Sequence, residues 1–111
     1  MEVEDRAILS RLMRNDFQWT DHGVCRMDCR KISEQEVFET LQTGRINRRK
    51  SEMSLRPCPK YVVDAQVKGT KGTKGTKHKK KNVQCVFGGC SDHTKVITVI
   101  DKDFDHPCGP C

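Results

Sequence analysis

The chain has 111 residues, the size of a single folding unit, so a multidomain reading is excluded. Apolar residues make up 34% and aromatics 5%, so the core must be small and drawn from a few well-patterned segments. A net charge of +6 and a pI near 9.0 suggest a nucleic-acid partner. However, seven of the 21 basic residues lie in residues 68–81, KGTKGTKGTKHKKK, and the remainder carries fourteen bases against fifteen acids.

The N-terminal stretch MEVEDRAILS carries acids and no long apolar run. No later stretch approaches the roughly 20 apolar residues of a bilayer span, so the expectation is a cytoplasmic protein with no membrane partner. Seven cysteines are an odd number, which in that setting favours reduced thiols, some of them metal ligands, over a disulfide scaffold.

Ile8, Leu9, Leu12 and Met13 recur at helical spacing and predict an amphipathic helix within an N-terminal segment 1–16. Thr20 or Asp21 can cap a second helix running to about Arg30, with Gly23 an unfavourable residue in its first turns. Ser33 and Glu36 form a capping box ahead of Val37, Phe38 and Leu41, and Gly44 ends that third helix. Beyond Gly44 the period changes to two, in Arg45–Lys50, Tyr61–Val67, Val83–Phe87 and Val96–Ile100. The predicted architecture is α+β, with two to three N-terminal helices packed on a four-stranded antiparallel sheet. Residues 17–101 would form the core of a single domain spanning 1–111, and 102–111 a cysteine-containing tail. Trp19, the one tryptophan, is expected in the core under the sheet.

The lysine run falls between the second and third strands of that scheme. It has nothing to bury and repels itself, so a solvated, disordered hairpin excursion is expected. Its lysines, Lys77, Lys79, Lys80 and Lys81 among them, are candidates for salt-sensitive contacts to nucleic-acid phosphates. Arg45, Arg48, Arg49 and Lys50 are either a charged, aggregation-resistant edge strand or a stripe facing RNA.

In a helix, His22, Arg26 and Arg30 follow at i, i+4 and i+8, placing an imidazole and two guanidiniums along one side. Metal-free phosphodiester cleavage asks for a proton-transfer group and fixed cations to stabilise developing charge. The same spacing also suits a capping histidine and arginines paired with neighbouring acids. Cys25 and Cys29, one turn apart, could join Cys108 and Cys111 in a tetrahedral structural zinc site, with His106 nearby. Cys85 and Cys90 are a further half-site, whereas a Cys25–Cys29 disulfide is disfavoured by diverging Cβ vectors. Cys108-Gly109-Pro110-Cys111 matches a thioredoxin-type tetrapeptide but has no helix after it to activate the thiol.

The run His22-x3-Arg26-Met27-x2-Arg30-x-Ile32-Ser33-x3-Val37, then Leu41, Gly44, the Pro57–Pro59 link and Val96–Ile100, resembles the domain-of-unknown-function family 4258. That family is in turn similar to the barnase, EndoU, colicin and RelE ribonuclease folds. The resemblance implies N-terminal helices on an antiparallel sheet and RNA cleavage of toxin type with no cofactor required. It adds a possible antitoxin partner and site residues His22, Arg26, Arg30 and, on the last strand, Thr98. The lysine insertion, the extra cysteines and the tail depart from the family pattern. A non-catalytic, zinc-stabilised module binding nucleic acid or protein is the alternative.

Overall fold

The computed structural model describes residues 3–68 and 80–111. Most of the lysine run, including Lys77 and Lys79, therefore lies outside the described residues.

Three helices precede most of the sheet: α1 (Val3–Arg14), α2 (Asp21–Arg30) and α3 (Glu34–Thr43). Their ends follow from local chemistry. The Thr20 hydroxyl caps α2 by accepting from the Gly23 amide at 2.9 Å. The Ser33–Glu36 capping box closes in both directions at the start of α3. Arg6 on α1 donates to the Leu41 and Gln42 carbonyls at 2.6 and 2.7 Å, supplying cationic donors to the C-terminal turn of α3.

The strands are β1 (Asp16–Trp19), β2 (Arg45–Ile46), β3 (Lys60–Val67), β4 (Lys81–Gly89) and β5 (His93–Asp101). They form one five-stranded mixed sheet in the order β1-β5-β4-β3-β2. The expected four-stranded antiparallel sheet is thus corrected in one respect: β1 is an extra strand, and it runs parallel to β5, with Phe17 opposite Thr94 and Trp19 opposite Val96. A four-residue strand whose partner lies more than 70 positions away leaves no local turn signal. Within the basic stretch 45–50, only Arg45 and Ile46 pair as strand, and residues 48–50 form a turn.

The core lies between the helices and one face of the sheet. Leu9, Leu12, Met27, Val37 and Leu41 meet Val63, Val67, Val83, Cys85, Phe87, Val96 and Val99 there. Alternation sends Val62, Gln84 and Val86 to the other face. A register shift at Val86/Phe87 puts Val96 and Val99, three positions apart, on the core side. Thr98 pairs with Val86 and so lies on the face away from the helices. Trp19 sits at the margin of the core instead of beneath its centre: half-buried, its ring is 5.5 Å from Phe17, which itself lies 4.6 Å from Phe38.

Candidate functional site around helix α2

Beyond Trp19 the outer edge of β5 has no strand partner among the described residues, and α2 takes that place. The Thr20 hydroxyl donates to the Val96 carbonyl at 2.7 Å, and Arg30 Nη1 donates to the Val99 carbonyl at 2.6 Å. Between them Gly23 lies so close that a Cβ would stand 2.4 Å from the Val96 oxygen. The glycine that weakens the helix by propensity is therefore what lets the helix reach the strand.

A helix turns about 100° per residue, which sets the order of side chains around α2. Met27 faces the core, and Gly23 and Arg30 face the β5 edge. Continuing in the same rotational sense come Arg26 and then His22, on the side of the sheet that carries Thr98. Cys29 and Cys25 follow further round. His22 is exposed and Arg26 half-buried, and among the described residues neither side chain has a hydrogen bond or ion pair. Each four-residue step also drifts by about 40°, so by Arg30 the stripe has rotated onto β5. Arg30 serves the edge of the sheet, while His22 and Arg26 share one face.

The cysteines correct the zinc expectation. Cys25, Cys29, Cys108 and Cys111 do converge, but as two disulfides, Cys25–Cys111 and Cys29–Cys108, each with a Cα separation of 5.8 Å. A third disulfide joins Cys58 to Cys90 at 4.5 Å. Sulfurs bonded to each other are not thiolates and cannot ligate zinc. No group of three or more His, Cys, Asp or Glu able to hold a metal ion occurs among the described residues. The expectation of reduced thiols is likewise corrected for six of the seven cysteines. Cys85 alone is free, buried beside the Thr40 hydroxyl at 3.8 Å. Burial, with the Glu36 carboxylate adding to it, pushes its thiol up to about 12. No helix among the described residues is long and apolar enough to cross a membrane.

The basic residues divide. Arg48 pairs with the buried Asp5 carboxylate and so ties the 48–50 turn to α1. Lys81 turns inward, donating to the Lys31 carbonyl at 2.6 Å and standing 3.7 Å from the buried Glu36 carboxylate. Arg45, Arg49, Lys50 and Lys80 are exposed. Arg45 lines a concavity at the sheet end with Asp64, Asn82 and Lys102, and Lys50 lines a neighbouring one with Gln84, Ile100 and Phe104.

Asp64, absent from the sequence-level candidates, organises this second region. It accepts from Gln84 at 2.7 Å and from Asn47 at 3.1 Å, with Lys102 at 3.4 Å. Burial opposes its ionisation, but those hydrogen bonds and the ammonium outweigh burial and hold its pKa below the ordinary carboxylate value. No spacing signal marks Asp64, because its partners come from the 47–50 turn, β4 and the tail.

The family model described as Domain of unknown function (DUF4258) matches residues 19–101. The chain belongs to the DUF4258 family. The matched span of this DUF4258 domain runs from the last residue of β1 to the last of β5, so it takes in α2 and the strand that α2 edges. No curated protein and no solved structure matches the chain.

Proposed function

We infer that this DUF4258 domain is a metal-independent ribonuclease that cleaves by attack of a ribose 2′-hydroxyl on the adjacent phosphate. The observation that carries the reading is the pairing of His22 and Arg26 on one accessible face of a helix fixed to β5 at Thr20, Gly23 and Arg30. His22 takes the proton from the attacking hydroxyl or returns one to the leaving oxygen. Arg26 holds the phosphate and its developing charge. Both groups stand on a helix that need not reorganise when substrate arrives, which is what positioning requires. Thr98, on the same side of the sheet, is a candidate contact to the substrate backbone. Exposed Arg45, Arg49, Lys50 and Lys80 supply salt-sensitive attraction to the strand.

The test is cleavage of a single-stranded RNA. His22→Ala should lower the rate by about 10²–10⁴-fold with little change in binding, and Arg26→Ala should lower both rate and binding. Products should carry 2′,3′-cyclic phosphate, activity should survive EDTA, and DNA of the same sequence should not be cut. Full cleavage by the His22→Ala protein overturns the reading.

A non-catalytic nucleic-acid-binding module is favoured by one different observation: Arg45, Arg49, Lys50 and Lys80 are exposed on the strands and the turn after β2, on elements other than the helix that bears His22. RNA that is bound but never cut, with affinity falling on substitution of Arg45 and Lys50 and unmoved at His22 and Arg26, selects that module.

A further inference from the structure

The contacts that seat α2 join residues far apart in the chain. Thr20 reaches the Val96 carbonyl across 76 positions, and Arg30 reaches the Val99 carbonyl across 69. No local contact replaces them, so His22 and Arg26 come to the edge of β5 only when the two ends of the chain have been brought together, which costs loop-closure entropy. The disulfides bridge the same interval. Cys25–Cys111 spans 86 residues and Cys29–Cys108 spans 79, while Cys58–Cys90 closes a nested loop of 32.

A crosslink stabilises a fold chiefly by closing such a loop in the unfolded chain, and the gain grows with loop length. A bond of the α2 type shifts the folding equilibrium by about 10³-fold, and the shorter Cys58–Cys90 loop by about 500-fold. Their product, about 10⁵–10⁶, stands against whole folding constants of about 10³–10⁸ for small domains. The chain is only 34% apolar, so the share of stability held in the crosslinks is comparable with all that remains after chain entropy is met. The two bonds on α2 also back each other up. Once either is closed, the other closes only the short ring of residues 25–29 and 108–111, a gain of about fifty-fold. The seventh cysteine, Cys85, is buried in the core and keeps its proton, so no thiolate inside the folded chain competes for the three bonds.

We propose that oxidation arms this domain: the chain is unfolded while its six paired cysteines are reduced, and it folds and assembles the His22–Arg26 face when the three disulfides form. This is regulation of the site already described, and it rests on the ribonuclease reading for what that site does. Each bond forms as two cysteine thiols give two electrons and two protons to one molecule of a small disulfide such as oxidised glutathione, which becomes two thiols. The compartment in which the domain works is therefore an oxidising one, not the cytoplasm expected from the sequence. In a reducing compartment the ribonuclease is silent because its helix and its strand are not yet joined.

The experiment equilibrates the full chain in glutathione buffers from oxidised to reduced, blocks free thiols by alkylation, and reads circular dichroism and cleavage of a single-stranded RNA. Helical signal and cleavage should be lost together as the buffer becomes reducing and should return together on reoxidation. Urea unfolding of oxidised variants then separates the crosslinks. Cys25→Ser with Cys111→Ser, and separately Cys29→Ser with Cys108→Ser, should each lower the folding constant by about fifty-fold, and the quadruple variant by about 10⁴–10⁵-fold, more than the product of the two pairs. A reduced chain that keeps its helical signal and its urea midpoint overturns the proposal, and so does a quadruple variant as stable as either pair. A chain that unfolds on reduction and refolds on oxidation, yet cuts RNA in neither state, keeps the redox device and removes the ribonuclease reading.

Discussion

Replacing Gly23 by alanine sets two magnitudes against each other. By helix propensity alone the change stabilises, by at most about 1 kcal/mol, the helix-interior difference between alanine and glycine, because Gly23 lies in the first turn of α2. The structure reverses the sign. The new Cβ would stand 2.4 Å from the Val96 carbonyl oxygen and 3.0 Å from the Thr20 hydroxyl, and the Val96 oxygen belongs to backbone in a paired strand. Relief requires α2 to retreat from β5 by close to an ångström. Overpacking of that kind costs about 1–3 kcal/mol. The retreat also stretches the 2.7 Å bond from Thr20 to Val96, worth about 1 kcal/mol. With the propensity gain subtracted, Gly23→Ala should be destabilising by about 2 kcal/mol, near 10 °C in Tm for a domain of this size. Urea unfolding of oxidised wild type and variant, followed by circular dichroism, measures the difference directly. A lower midpoint at unchanged slope is expected. A variant as stable as wild type or more so would refute the close seating of α2 on β5.

Two further outcomes follow from the same region and its neighbour. Arg30→Ala should lower stability by about 1–3 kcal/mol, because the Val99 carbonyl loses a charged donor. Arg26→Ala should leave stability nearly unchanged, so equal losses from the two would contradict their separate tasks. Asp64 has a folded pKa below its unfolded value, so its contribution is present above about pH 4 and is lost as pH falls through the lower folded value. Chemical denaturation between pH 2 and 6 should show that acid limb in wild type and a shallower one in Asp64→Asn; identical slopes would count against it.

The helices were legible because their signals are local. Ser33 and Glu36 cap α3 as their spacing announces, and Thr20 caps α2. β3, β4 and β5 were legible as β-branched and aromatic runs bounded by turn residues, although β4 is buried on both faces from Val83 to Gly89. β1 was not, because Asp16–Trp19 alternates over only four residues and its parallel partner is set by chain topology, with no turn between them to announce it. The cysteines show a different limit. Spacing brought Cys25 and Cys29 onto one stripe and matched them with Cys108 and Cys111, but which side chains meet does not determine whether sulfur is thiolate or disulfide. Arg30 illustrates a third: a stripe at i, i+4, i+8 drifts around the helix, so its last member can leave the shared face for the sheet edge. Gly23 inverted its expected meaning for the same reason, since propensity describes the helix alone and the decisive neighbour is on β5.

The way α2 finishes the β5 edge also bears on how this domain behaves in a crowd. A strand edge with free carbonyls invites another chain to add itself, and sheets ordinarily defend such edges with charge, bulges or cover. Here β1 protects the first half of β5 by pairing, and a helix protects the second half with one hydroxyl and one guanidinium. The defence is detachable: anything that lifts α2 turns an interior strand into an adhesive one while the rest of the sheet is still formed. Damage to this helix should therefore be felt first as self-association and loss of solubility, at concentrations and temperatures where the fold as a whole persists.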